Sequence, residues 1–285
     1  MFEFRKMCFL TVAIAFAVGV AAQDRADVLV SYEESAFGGK HVNKMNLLAN
    51  TGQSKYFNEV SLWTDSLTST PEGKAKHEEI IRANCLVRDP EGYDCWDLTK
   101  PIVKKIDMYV FNSVADGELT VYDEWGEEPM YYTEDADEMQ WTVVPDSVST
   151  MLGYDCILAE SDYHGRKWRA WFAPEIPLPF GPWKLHGLPG LILKADADGG
   201  FSFMATGLQT TDRLITPMYS ASDYSRTERK KAQAQHEHYI NNMEAMLKAE
   251  HEGLGKITFS DDEGNPIDAP RYDAKKESLE PDYKE

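Results

Sequence analysis

The chain is poor in cysteine, in basic residues and in long apolar runs, and each shortage removes a class of protein. Four cysteines in 285 residues are too few for a disulfide scaffold, and none stands in the C-x-x-C spacing that holds structural zinc. Lysine and arginine number 29 against 48 acids, a net charge of −19. That balance opposes nucleic acid or an anionic membrane surface as the main partner, because both require clustered cations. No apolar run reaches the roughly 20 residues of a membrane-spanning helix. Also missing are a G-x-S-x-G nucleophile elbow, an H-E-x-x-H zinc helix and a phosphate-binding loop ending in Lys-Ser/Thr. What is present, 42% apolar and 12% aromatic residues, is enough for a packed core and excludes disorder of the whole chain.

Residues 1–22 combine Arg5 and Lys6 with an apolar run from Cys8 to Ala22 that closes on small residues. This is the layout of a secretory signal peptide cleaved after Ala22. The expected destination is outside the cytoplasm, periplasmic or secreted, with no transmembrane segment after cleavage. Three cysteines then remain. In an oxidising compartment Cys85 and Cys95 are the favoured disulfide, because Asp89, Pro90, Glu91 and Gly92 between them spell a turn. Cys156 is left as a buried thiol.

The mature chain alternates apolar and polar residues in short runs separated by turn residues, the mark of half-buried antiparallel strands. Expected strands include 28–33, 44–48, 54–58, 105–112, 118–123, 130–133, 140–144, 155–163, 166–173, 191–195 and 201–208. Asp116-Gly117, His164-Gly165 and Asp198-Gly199-Gly200 supply tight turns. Two helices interrupt the pattern: 73–84, and a long one over about 226–252 whose stripe of Ala232, His236, Tyr239, Met243, Met246 and Leu247 asks for a sheet to lie on. The expected fold is α+β, an antiparallel sheet with a long C-terminal helix packed on it. A single domain over residues 23–260 is expected, followed by a flexible acidic and polar tail, 261–285, because large aliphatics almost vanish there.

Four of the seven tryptophans fall between residues 141 and 183. On strand 166–173, Trp168 and Trp171 point to opposite faces, so both faces carry an aromatic. Beyond it Pro174, Pro177, Pro179 and Pro182 forbid a helix and stiffen an extended connector that ends in the bend Gly187-Leu188-Pro189-Gly190. Trp168, Trp171, Trp183 and His186 are the candidate lining of a binding face. His236 and His238, two apart on a helix, diverge by about 200° and cannot share one ion. No metal or cofactor is expected.

Gly153-Tyr154-Asp155-Cys156, the run GRKWRAWFAPEIP at 165–177 and GPWKLHGLPGLIL at 181–193 together resemble the signature of the GLPGLI family of exported bacterial proteins. Gly153, Tyr154, Cys156, Gly187, Leu188, Pro189 and Gly190 are its structural motif positions. The ordered similarity spans about residues 141–209 and weakens toward Val28. The resemblance implies a curved, bowl-like sheet, because the family is similar to the bowl-like N-terminal domain of some secreted peptide-N-glycosidases. It implies no activity.

The functional expectation is a non-catalytic periplasmic module that binds an apolar or extended ligand or docks on an envelope protein. A hydrolase centred on Cys156 with His164 or His186 is the competing reading, and a structural or inhibitory accessory of an envelope protein is another.

Overall fold

A computed structural model describes residues 25–36, 41–88, 94–97, 100–104, 106, 108–125, 128–215, 218–219, 221–250, 259–260, 266–268 and 271–284. The leader expected over residues 1–22 lies outside them. In chain order the elements that build the site are β1 (Val28–Ala36), β2 (His41–Ala49), β3 (Gln53–Phe57), α1 (Glu59–Thr68), α2 (Pro71–Cys85), β4 (Leu86–Arg88), β5 (Asp94–Trp96), β6 (Tyr109–Ser113), β7 (Glu118–Trp125) and β8 (Glu128–Asp135). They continue with β9 (Thr142–Met151), β10 (Tyr154–Tyr163), β11 (Arg166–Ala173), β12 (Leu191–Ala197), β13 (Phe201–Thr210), β14 (Ser225–Arg226), α3 (Arg229–Asn241), α4 (Met243–Glu250) and the one-turn helix α5 (Ala274–Glu277).

Twelve strands form one sheet in the order β14-β8-β7-β6-β3-β2-β1-β13-β12-β11-β10-β9. Neighbours are hairpins wherever a tight turn was legible. His164 and Gly165, at φ 51° and 78°, turn β10 into β11, and Asp162 and Tyr163 face Lys167 and Arg166 across it. The first strand is the exception: β1 sits in the middle, paired on one side with β2 and on the other with β13, Val28 opposite Thr210.

Period-two burial decides which face is inside. On β11, Arg166, Trp168, Ala170 and Phe172 are buried while Lys167 and Arg169 are exposed. The corresponding residues of the other strands, with Leu178, Phe180, Trp183, Leu185 and Leu188 of the proline-rich segment, make one continuous core. Each large apolar side chain removed from water there contributes about 2–3 kcal/mol. A second, smaller cluster lies across β1 to β6: Leu29, Leu48, Phe57 and Tyr109 pack with Leu62 of α1 and Ile215. Asn58 caps α1, its side chain accepting from the Val60 and Ser61 amides, and Thr70 with Pro71 starts α2.

Three expectations are corrected. The sheet is mixed, because β14 pairs with β8 in parallel, and there is no long C-terminal helix packed on an antiparallel sheet. The helical stretch breaks at Asn242, whose backbone leaves helical geometry at φ −121°, ψ 18°. Its Nδ2 donates to the His238 carbonyl at 2.8 Å, offering that carbonyl a side-chain partner, which is how asparagine ends helices.

The segment expected as a flexible tail is folded over residues 271–284, with Ala274, Ser278, Glu280 and Tyr283 buried. Its attachment is ionic, so an inventory of aliphatics could not find it. The Cys85–Cys95 disulfide does not form: Cys85 is a buried free thiol. The hairpin is there, but its register sets Cys95 opposite Val87, and the Cys85 carbonyl accepts from Asp97 N at 2.7 Å. The side chain of Cys95 lies outside the described residues.

Candidate functional site

Against the inner face of the sheet sits a buried cluster of charges. Lys184, in the proline-rich segment, is wholly buried and its ammonium lies between two carboxylates, Glu134 at the end of β8 (2.5 Å) and Glu280 of the C-terminal segment. Glu134 is shared further. Its second oxygen meets His164 Nε2 at 2.8 Å and accepts the Tyr163 hydroxyl at 3.1 Å. Arg229, the first residue of α3, donates to Glu280 at 2.9 Å and grips Asp282 with both terminal nitrogens at 2.8 and 2.9 Å. His164 Nδ1 is 3.5 Å from Asp282, which closes the ring. The Tyr132 and Trp183 rings lie 4.8 and 5.3 Å from the Lys184 ammonium, within cation–π range.

The cluster is internally matched. Burial alone would raise the Glu134 carboxyl, but the Lys184 charge and the His164 contact hold it well below the ordinary range. Burial likewise works against charge on Lys184, and Glu280 with Glu134 outweighs it, so the ammonium is held protonated. Burial opposes ionisation of Asp282 too, and Arg229 overrides it. Glu134, His164 and Glu280 present ligand atoms within 4.8 Å of one another, the spacing of a metal site. Here the Lys184 ammonium bonds to both carboxylates and supplies the positive charge an ion would bring.

Beside the cluster opens a cavity of about 310 Å³. Glu34 and Asn43 of β1 and β2, Asp123 and Tyr132 of β7 and β8, Trp183, and Phe201 of β13 line the sheet side; Gln233 and His236 of α3 and residues 277–280 with Tyr272 close the other. Glu34 and His236, two of its titratable groups, are shifted in opposite directions. Burial pushes Glu34 up to about 7 against the hydrogen bond it accepts from Tyr56. Burial pulls His236 down to about 4, opposed by neighbouring Glu237. Near neutral pH the cavity therefore holds an uncharged imidazole and a carboxyl balanced between its two forms, flanked by aromatic rings.

Of the residues proposed to line a binding face, only Trp183 borders this cavity, and it is 4% exposed. Trp168 belongs to the packed interior, stacked on Trp183 and Phe203 at 5.4 and 6.0 Å between centroids, its indole donating to the Tyr163 carbonyl. That corrects its place on an open lining. Trp171 is half-buried at the edge of the core.

His186 borders a different cleft of about 500 Å³ with Trp141, Phe180, Gly187, Leu188 and Pro189. Its two ring nitrogens face the Lys184 and Ala136 carbonyls at 2.7 and 2.8 Å. The GLPG residues shape the wall of that cleft. Gly187 takes φ 87°, and a Cβ on Gly190 would fall 2.3 Å from the Ala173 carbonyl, so the bend lies flat on the end of β11 only with glycine there.

Gly153 turns β9 into β10 at φ 85°. Tyr154 opens β10, and its carbonyl is 3.6 Å from the Cys156 thiol. Burial pushes that thiol up, away from the thiolate a nucleophile needs. Among the described contacts His164 answers to Glu134 and Asp282, and His186 to backbone carbonyls; neither is hydrogen-bonded to Cys156.

Glu134, Lys184, Arg229, Glu280, Asp282 and Glu34 were not singled out by the sequence. The signal available was a lone lysine, Lys184, inside an otherwise apolar segment, since an interior lysine requires a partner.

Comparison with known proteins gives one family match and a few partial likenesses. The family described as "Protein of unknown function (Porph_ging)" matches residues 132–194, which contain Glu134, Tyr163, His164 and Lys184 and overlap the stretch on which the GLPGLI resemblance rests. Among curated proteins, Beta-galactosidase BgaH of Haloferax lucentense is 31% identical over 91 residues, 30% of this chain and 13% of that protein. Among solved structures, two crystal forms of PNGF-II superpose with a TM-score of 0.48 at 13% and 15% identity. They cover 73% and 83% of this chain and 32% and 36% of theirs. The chain thus spans about a third of those structures and a small part of the galactosidase. Among the described residues no helix is long and apolar enough to cross a membrane.

Proposed function

We propose that this chain is an exported, non-catalytic binding module of GLPGLI type, and that its ligand seat is the cavity beside the Lys184 cluster. The observation that carries the reading is the cavity's composition. Aromatic faces (Tyr132, Trp183, Phe201, Tyr272) stand around a few acceptors and amides (Glu34, Asn43, Asp123, Gln233), the usual make-up of a small-ligand site. A carboxyl near pH 7 can accept or donate a hydrogen bond, so the site suits an extended ligand that mixes apolar surface with hydroxyl or amide groups. The charges next to it are locked in pairs, and the Cys156 thiol is buried and shifted away from reactivity. An envelope protein presenting such an extended segment fits the same seat. The acid excess disfavours nucleic acid.

Native mass spectrometry of the full chain isolated from its own host tests this. A bound adduct is expected, lost when the cavity is filled by Met108→Trp, Met108 being a further residue of its wall. A chain without adduct, or an adduct indifferent to the filled cavity, refutes the seat. Export is tested on the same material: amino-terminal sequencing should begin at Gln23.

A further inference from the structure

The C-terminal segment is held unlike any other part of the chain. It adds no strand to the sheet, and the groove it lies in is cationic. Arg166, 5% exposed, donates from Nε and Nη2 to the Ser278 carbonyl at 3.1 and 2.6 Å and from Nη2 to the Lys275 carbonyl at 2.8 Å. Lys184 takes Glu280, and Arg229 takes both Glu280 and Asp282. The floor is shaped to the backbone as well: a Cβ on Gly165 would fall 3.1 Å from Asp282 N and 3.2 Å from Pro281 Cγ.

Without this segment its seat would hold Arg166, Lys184 and Arg229 beside the buried acid Glu134, with His164 between them, Asp198 at the rim, 3.9 Å from Arg166, and at the far end Glu237 of α3, which takes the segment's Tyr283 hydroxyl at 2.7 Å and its Lys284 ammonium at 2.6 Å. The end that meets Glu280 and Asp282 is thus cationic, Lys184 and Arg229 beside Glu134, in a chain of net charge −19. Buried cations left unpaired are costly, so an acidic occupant is required and an apolar one is excluded.

We infer that this groove is a recognition site for an extended peptide carrying Glu-x-Asp, and that residues 274–284 are its tethered ligand, a segment able to leave and be replaced by an acidic peptide of the same pattern. The two carboxylates two residues apart, Glu280 and Asp282, are read by Lys184 and Arg229, and the backbone between Lys275 and Ser278 is read by Arg166. Residues 277–280 with Tyr272 also form one wall of the neighbouring cavity, so departure of the segment opens that seat as well. Tethering sets the competition: an intramolecular ligand at millimolar effective concentration masks the site from a free peptide until its own acids are weakened.

A labelled synthetic peptide of residues 271–284 provides the test, titrated by fluorescence anisotropy into the full chain and into the full chain carrying Glu280→Ala and Asp282→Ala. The double variant is expected to bind at least about tenfold more tightly than the unaltered chain. The same peptide with alanine at both acidic positions should bind neither, and added salt should weaken the interaction. A double variant with native tryptophan emission that fails to bind, or that binds both peptides equally, overturns the inference. Hydrogen exchange on the unaltered chain, run in parallel, decides the matter even if the double variant does not fold. The amides of 274–284 should exchange together, at least about tenfold faster than those of β10 to β13. Exchange of the segment only in step with the sheet would make it an integral element and overturn the inference.

Discussion

Trp183 and Lys184 are neighbours in the chain and are used in opposite ways. Trp183 turns into a stack with Trp168 and Phe203, where shape and apolar area dominate. Lys184 turns into the carboxylates of Glu134 and Glu280, where every group depends on another. The stack degrades by increments, because a smaller ring leaves a smaller loss. The charge cluster does not: removing one member strands the rest in a medium that cannot solvate them. The same segment is thus fixed by one tolerant anchor and one intolerant one.

The largest effect should come from breaking the intolerant anchor. Lys184→Ala leaves Glu134 and Glu280 buried and facing each other, and is expected to cost about 3–5 kcal/mol in denaturant unfolding. Combining Lys184→Met with Glu134→Gln and Glu280→Gln should restore a large part of that. If the single and triple variants are equally unstable, the cluster is not the cause. Trp168→Phe, in the tolerant anchor, should cost less, about 1–2 kcal/mol, with an unchanged fold by circular dichroism. A loss matching that of Lys184→Ala would erase the contrast.

Next is the pH response of the cavity. The Glu34 carboxyl titrates at about 7 in the folded chain against an ordinary 4.5. The folded state therefore binds the extra proton between those values, and the stability it brings is full below pH 4.5 and lost as pH rises through 7. His236, lowered from 6.5 to about 4, acts in the other direction: its share is full above pH 6.5 and lost as pH falls through 4. Glu34→Gln should raise stability at pH 8 by about 1–2 kcal/mol and leave only the acid-side loss. A profile unchanged by the substitution would show that Glu34 is not buried in its acid form. The smallest effect concerns Cys156, whose thiol should react with a disulfide reagent only on unfolding; rapid reaction of the folded chain would restore it as a candidate nucleophile.

What the sequence disclosed follows the same division. Alternation along 166–173 placed Trp168 and Phe172 on one face, which the structure turns inward, and Gly117, Gly165 and Gly199 marked real turns, because these signals are local. The Lys184 cluster was invisible, since Glu134, Arg229 and Glu280 meet it only through the fold. Register was equally hidden, so the turn signals between Cys85 and Cys95 suggested a bridge, whereas the pairing sets Cys95 opposite Val87 and Cys85 is a free thiol. The first half of β9 was legible, but Pro145 and Asp146 concealed its continuation. It resumes beyond a bulge between the Val144 and Val148 pairings, where proline is tolerated at a sheet edge. Helix α1 was missed because Ser61 to Ser69 holds few strong helix formers; its cap and its seat on the second cluster make it, not its propensity.

The central seam of the sheet joins β1 to β13. A ribosome delivers these partners about 170 residues apart, so the earliest strand has no neighbour on that flank until most of the chain exists. Loop-closure entropy must be met before that pairing is rewarded, which makes assembly slow and late. The nascent polypeptide consequently stays threadable, a ribbon with an open middle, until the stretch up to Thr210 has been made.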